Sequence, residues 1–322
     1  KGKLPYKEIF IQYGFLTTLI HSFILDLSHN KIFFLNVSTI FFYIFSVFLI
    51  SETVKNFTDR WYGFLCFCIL LANHPVPWLP WSNYIAFFFI SLGIYLLSKE
   101  NKSLYLIGLI FSFAVLSRQD YLVGIFASIF CFLFFQSFKK IKIYSINILK
   151  LILGFFLPIV VFILYLKYLG VYSEWVKYQY LPHFYMELYN VGIVGLIKRF
   201  IIFFTSVSFF NFINIPQYFL ISVILISNTF FILIKIFNKL NINNNILYIV
   251  LLSLCLSSIG LNIELFRLYT SVSLGIIPLL FFIHKMINLE LKKKFLFILI
   301  LPSLFSIFFY PMGNNPHFTK ID

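Results

Sequence analysis

Long apolar runs recur along this chain at about the length of a bilayer crossing, with short polar turns between them. A helix needs roughly 20 apolar residues to cross a hydrocarbon core about 30 Å thick, and somewhat fewer in a packed bundle. By that measure about ten runs can span, near residues 33–50, 60–74, 84–98, 103–117, 121–137, 148–168, 216–236, 245–261, 268–285 and 295–310. A mean hydropathy of +0.94, with 61% hydrophobic and only 11% charged residues, excludes a soluble globular domain. The expected fold is all-α, a polytopic transmembrane helix bundle. One membrane domain is expected over 1–322: an outward-facing loop and amphipathic helix at 1–32, the bundle at 33–310 with an outer loop at 170–215, and an outer tail at 311–322.

The net charge of +14 does not make a nucleic-acid-binding surface. The Lys and Arg residues are scattered through short loops rather than gathered on one soluble face, so they read as topology signals that meet anionic lipid. With the opening segment outside and the runs alternating, every inner loop is basic. Those loops hold Lys55 and Arg60; Lys99 and Lys102; Lys139, Lys140 and Lys142; Lys235 and Lys239; and Lys285 with Lys292, Lys293 and Lys294. The outer turns are 73–83, Arg118–Asp120, 170–215 and 262–267. Residues 198–213 are long enough to span, but crossing there would turn two basic loops outward, so an interfacial segment is expected.

The opening thirty residues differ from the rest. After a basic, proline-marked head, Phe15, Leu16, Leu19, Ile20, Phe23, Ile24 and Leu27 recur at helical spacing, with Thr18, His21, Ser22 and Asp26 on the other face. An interfacial helix with its polar face toward water is expected, although 9–27 is also long enough to span. Cys66, Cys68, Cys131 and Cys255 all fall in apolar runs without metal-ligand spacing and read as packing or lipid-facing thiols. The 46 Phe and 20 Tyr accompany abundant Ile, Asn and Lys, which reads as a base-composition bias, so no aromatic site is inferred.

Residues 2–10, GKLPYKEIF, and 12–16, QYGFL, carry a second signal. They resemble the stretch of bacterial integral-membrane glycosyltransferases of the GT-C type in which a Pro-Tyr pair, a basic residue and an Asp precede a Gly-Pro-Leu. That group includes the protein mannosyltransferases and the aminoarabinose and Rgt-like lipopolysaccharide transferases. Glu8 stands where Asp is usual, and Phe15 where Pro is usual. The resemblance implies that this stretch is the first outward-facing loop, that Glu8 is an essential carboxylate, and that a transmembrane helix precedes Lys1. It also implies a polyprenyl-phosphate-linked sugar as donor and a glycan, lipid or protein as acceptor, at the outer face of a bacterial inner membrane. Further chain is expected after Asp322.

Such chemistry needs a carboxylate to take the acceptor hydroxyl proton, cations for the departing phosphate, and a groove for the lipid tail. One base and no covalent intermediate would invert the anomeric centre. Glu8 is the candidate base; the plainer reading is a loop carboxylate paired with Lys3 or Lys7. Lys7 is also a candidate substrate contact. Arg118 and Asp120, at the end of a span, suit a phosphate grip and its orienting carboxylate, or else a local pair that closes two helices. Glu174 and His183 lie in a Tyr-rich stretch that suits sugar faces or a simple aromatic belt. Glu264 and Arg267 end another span, as a donor-phosphate contact or as an i,i+3 pair. His74 sits among prolines and tryptophans in what reads as a rigid outer loop. No cofactor is assigned and no metal ligands are nominated. A divalent cation remains compatible, though one carboxylate does not make a divalent site. The competing readings are an O-antigen or capsule polymerase and a lipid-linked sugar flippase. A flippase is expected to show repeats or broken midmembrane helices.

Overall fold

The computed structural model describes residue 7, residues 14–74, 80–135, 138–180, 216–238, 243–259 and 265–286, and most of 291–304. It is 87% helix with no strand among the described residues. The helices are α1 (Phe15–Leu27), α2 (Phe33–Phe57), α3 (Arg60–Ala72), α4 (Ser82–Leu97), α5 (Leu104–Ser117), α6 (Tyr121–Phe134), α7 (Phe138–Tyr168), α8 (Tyr172–Tyr180), α9 (Pro216–Asn238), α10 (Asn244–Ile259), α11 (Leu265–Val272) and α12 (Ile276–Met286). A 3-10 turn, Ser273–Gly275, joins the last two. Asp59 caps α3 by accepting from the Tyr62 N–H at 3.0 Å, and the Ser103 hydroxyl caps α5.

Among the described residues, three helical stretches are long and apolar enough to cross a membrane: Phe33–Phe57, Ile146–Tyr168 and Phe219–Ile236. The other apolar helices run 10–17 residues, roughly 15–26 Å by their rise. Their outer surfaces explain the composition. On α2, Phe41, Phe45 and Phe48 point out of the bundle; on α7, Leu149, Leu153, Leu157, Val160 and Leu164 do; on α9, Ile226, Phe230 and Leu233 do. Stripes of this kind at i, i+3 and i+4 spacing suit lipid and would be an aggregation liability in water.

Four elements depart from the expected layout. α2 runs two turns past residue 50, through Glu52 and Lys55, whose side chains pair at 2.8 Å across one turn. α7 begins at Phe138, so Lys139, Lys140 and Lys142 are helical rather than in a loop. Lysine is a good helix former, so the helix can begin within this basic run. The run expected at 268–285 is divided by the 3-10 turn, and 265–267, expected in a loop, belong to α11. In the stretch expected as an outer loop at 170–215, residues 172–180 form α8. Residues 181–215 and 311–322 lie outside the described residues.

Within the bundle α5 packs against α4 and α7, α2 against α3 and α4, and α6 against α10. The α5–α7 contact is backbone on backbone. A Cβ at Gly108 would overlap the Leu151 carbonyl oxygen, and one at Gly154 would overlap the Tyr105 carbonyl oxygen. The two helices run parallel, and each glycine faces the other's backbone, as small residues do where lipid gives no hydrophobic drive between helices. A second tie is polar. The Tyr43 and Tyr269 hydroxyls both donate to the Leu70 carbonyl, at 2.6 and 2.9 Å, joining α2, α11 and α3. His74, expected in an outer loop, is buried beside them, its ring 4.1 Å from that of Tyr43. The rings of Tyr43 and Tyr84 cover the imidazole and take it out of solvent.

The bundle has two distinct ends. The turn Arg118–Asp120 and the turn at Gly170, between α7 and α8, lie at one. The turn from Leu97 to Leu104 and the start of α10 lie at the other, where Lys102 Nζ meets Asn245 Oδ1 at 3.0 Å.

Candidate functional site

The Arg118 end gathers three stretches that are far apart in sequence: the opening segment, the α5–α6 turn, and α8. Docking begins at the α5 C-terminus, whose last carbonyls have no partner inside the helix. The Ser117 carbonyl accepts from the Gly14 N–H at 3.1 Å and from the Thr17 hydroxyl at 2.9 Å. Only glycine fits at position 14, because a Cβ would overlap the Leu116 and Ser117 carbonyls. This contact fixes the rotation of α1 about its axis and corrects the expected facing. Thr17 is buried, and Thr18 and His21 are half-buried against the protein. Ser22 and Asp26 are exposed as expected, but so are Leu19, Phe23 and Leu27.

Immediately after Ser117, Arg118 and Asp120 form a two-pronged pair. Arg118 Nε donates to both Asp120 oxygens at 2.7 and 2.8 Å, and Nη2 donates to Oδ2 at 2.6 Å. The Arg118 side chain is 11% exposed and that of Asp120 is 35% exposed, so the cation is the deeper partner. A fork of this geometry holds the guanidinium in one plane. Tyr121, buried beneath it, lies under the guanidinium at 5.8 Å and is hydrogen-bonded to Thr270 and Ser271 of α11. The α11 backbone thereby approaches this end, with Arg267 one turn earlier on the same helix.

The third element is α8. Val171 and Leu166 are fully buried and Phe162 nearly so, packed with Phe15, Leu116, Tyr172 and Trp175. This small cluster joins α1, α5, α7 and α8. Glu174 is near the aqueous edge. The Ser173 hydroxyl, at 2.8 Å, and its own backbone N–H hold its carboxyl below the usual range, with the Lys7 and Lys177 ammonium groups adding to the effect. Lys7 therefore lies within electrostatic reach of α8.

Beneath this end runs an apolar groove of about 520 Å³. α1 supplies Phe15, Leu16 and Leu19; α5 supplies Phe113 and Leu116; α7 supplies residues from Leu157 to Tyr165. Leu116 places the groove two residues from Arg118.

Of the residues nominated from the sequence, Lys7, Arg118, Asp120 and Glu174 are thus at one end of the bundle. Glu8, His183 and Glu264 lie outside the described residues, as does the side chain of Arg267. Among the described residues no group of three or more His, Cys, Asp or Glu side chains is arranged to hold a metal ion. Of the cysteines, Cys66 is buried, Cys68 exposed, and Cys131 and Cys255 half-buried. Sequence reasoning missed Thr17 and the buried tyrosines Tyr43, Tyr84 and Tyr269. Hydroxyls inside otherwise apolar runs were the available signal.

The docking of α1 carries a pH dependence. Burial lowers the His21 pKa from its ordinary 6.5. The undocked imidazole then takes a proton before the docked one does, so docking is strongest above pH 6.5 and weakens as the pH falls below it. Amide hydrogen exchange in α1, corrected for intrinsic rates, should therefore accelerate between pH 7.5 and 5.5. His21→Gln should remove most of that difference.

These features define a helical membrane protein with a charged end above an apolar groove. No family model, curated protein or solved structure matches the chain.

Proposed function

We propose that this chain is an integral-membrane glycosyltransferase of GT-C-like, ten-span architecture. It moves a sugar from a polyprenyl-phosphate donor to a cell-envelope glycan, lipid or protein on the outer face of a bacterial inner membrane. The observation that carries the reading is the convergence at the Arg118 end. The segment bearing the glycosyltransferase-like stretch docks through Gly14 and Thr17 on the α5 terminus, beside Arg118 and above an apolar groove.

In this reading Glu8 accepts the proton of the acceptor hydroxyl as that oxygen attacks the anomeric carbon. The bond from that carbon to the phosphate oxygen breaks, and polyprenyl phosphate leaves with the electron pair. Arg118, held in plane by Asp120, and Arg267 meet the charge on the phosphate. The isoprenoid tail lies in the groove below α1, and Glu174 of α8 borders the sugar, with His183 as a further substrate contact. Attack opposite the leaving group inverts the centre. A divalent cation, if used, would assist at the phosphate.

The side of the membrane on which residue 8 lies tests this. Glu8→Cys, in a chain whose four native cysteines are replaced, should react with a membrane-impermeant thiol reagent in intact spheroplasts. Labelling only after lysis overturns the reading, because the base would then face away from a donor at the outer surface.

One observation favours a second reading, a flippase for lipid-linked sugars. The 3-10 turn at Ser273–Gly275 interrupts a helical run beside Asn228 of α9. Asn228 is 1% exposed, and neither of its amide atoms has a hydrogen-bond partner among the described residues. Broken helices beside buried polar groups mark substrate paths in transporters. Donor translocation in proteoliposomes without transfer to an acceptor would favour that reading.

A further inference from the structure

The Lys102 end holds a second cavity, of about 500 Å³, that sugar transfer does not use. Its walls are apolar: Leu104 and Ile107 from α5, Ile129 and Phe132 from α6, and Ile148 and Leu151 from α7. Its mouth is polar and carries one charge. Lys102, Asn147 and Asn243–Asn245 line it.

Lys102 Nζ donates to the Leu97 carbonyl at 3.3 Å and to Asn245 Oδ1 at 3.0 Å. An ammonium has three donors, and both of these partners are neutral. Among the described residues no carboxylate lies within ion-pair distance of it. Burial is the sole cause that moves its pKa, and it moves it down, as expected for a cation partly removed from water without a counter-charge. The start of α10 reinforces the positive potential. Asn243 Oδ1 accepts from the Asn245 N–H, the first turn contains no acidic residue, and the helix dipole places partial positive charge at this mouth. The cavity therefore joins an uncompensated cation and a helix N-terminus to a channel of aliphatic and aromatic side chains.

We infer that this cavity binds an anionic membrane lipid, with its phosphate between Lys102 and the α10 N-terminus and one acyl chain along the Leu104–Ile107–Ile129–Leu151 wall. The inference rests on the bundle standing in a membrane and is independent of sugar transfer. A free phosphate would share the polar contacts but would leave the apolar wall uncovered, and a zwitterionic lipid would bring its own cation to the mouth.

The test uses the full chain in phosphatidylcholine nanodiscs, titrated with phosphatidylglycerol and read by native mass spectrometry of retained lipid. Phosphatidylglycerol should be retained in preference to phosphatidylcholine. Lys102→Gln should weaken that retention at least about fivefold, the size of one lysine's attraction to anionic lipid. Lys102→Arg should preserve it. Asn147→Asp, at an exposed position that tolerates a polar change, should also abolish the preference by setting a carboxylate in the mouth, and it covers the case in which Lys102→Gln fails to fold. Equal retention of the two lipids overturns the inference. So does a preference unchanged in both Lys102→Gln and Asn147→Asp. Displacement of the lipid by millimolar inorganic phosphate overturns it as well, since the site would then be one for a free anion.

Discussion

Gly108→Leu is expected to prevent α5 from closing on α7. A side chain at position 108 would occupy the space of the Leu151 carbonyl, and backbone cannot yield as the end of a flexible side chain can. The helices would have to separate, which loses contacts along α5 and opens the apolar groove that both helices line. The expected loss is about 3 kcal/mol or more, at the upper end of overpacking costs. It should appear as a marked fall in the thermal midpoint of the protein in detergent, or as degradation during expression. Gly154→Leu should behave alike, because it meets the Tyr105 carbonyl at the same helix contact. Gly170→Ala supplies the contrast. No atom lies within 4 Å of its Cβ position, although its φ of +67° adds a backbone penalty, of roughly 1 kcal/mol. A Gly108→Leu variant that melts with the wild type would mean that α5 and α7 do not meet backbone to backbone.

The membrane helices α4, α5 and α6 were legible in the sequence because each carries an apolar run, and they lie within a few residues of where hydropathy puts them; α8, which carries none, was not. Helix ends were less legible. Hydropathy falls at Glu52 and at Lys139, but helix propensity continues, with an i,i+3 pair of Glu52 and Lys55 in α2, so α2 and α7 include charged residues. The division of 265–286 was not legible either. A single Ser-Leu-Gly step is tolerated inside an apolar helix, and the packing of Gly275 against Asn228 and Ser253 is a tertiary feature that no local pattern shows. At the candidate site, Arg118 and Asp120 were visible as adjacent charges at a span end. Their neighbours were not. The bonds from Gly14 and Thr17 to Ser117 cross a hundred residues of sequence, and no local pattern encodes them. The facing of α1 was misjudged for the same reason. Its amphipathic pattern is broad, and a single tertiary hydroxyl contact, not the hydrophobic stripe, sets which side is buried.

Under the proposed function, Glu8→Gln should abolish transfer while leaving the membrane bundle intact. The substitution keeps the shape of the side chain and removes only its capacity to take a proton. The turnover number should fall by roughly 10²–10⁴, the usual contribution of a positioned general base, with little change in KM for the lipid-linked donor. Glu8→Asp retains a carboxylate and should keep part of the activity, which a merely structural role for Glu8 would not require. Arg118 should separate differently. Arg118→Lys preserves the charge but not the fork on Asp120, so it should raise KM for the donor and lower kcat/KM by roughly 10², the scale of one lost charge-stabilising contact. Radiolabelled sugar moved from a polyprenyl-phosphate donor in membrane vesicles reads all three variants, with equal protein levels shown by immunoblot. Full transfer by Glu8→Gln would remove Glu8 as the base. A loss in Glu8→Gln together with wild-type kinetics in Arg118→Lys would keep the base but move the phosphate contact away from Arg118, leaving Arg267 as the cation to examine.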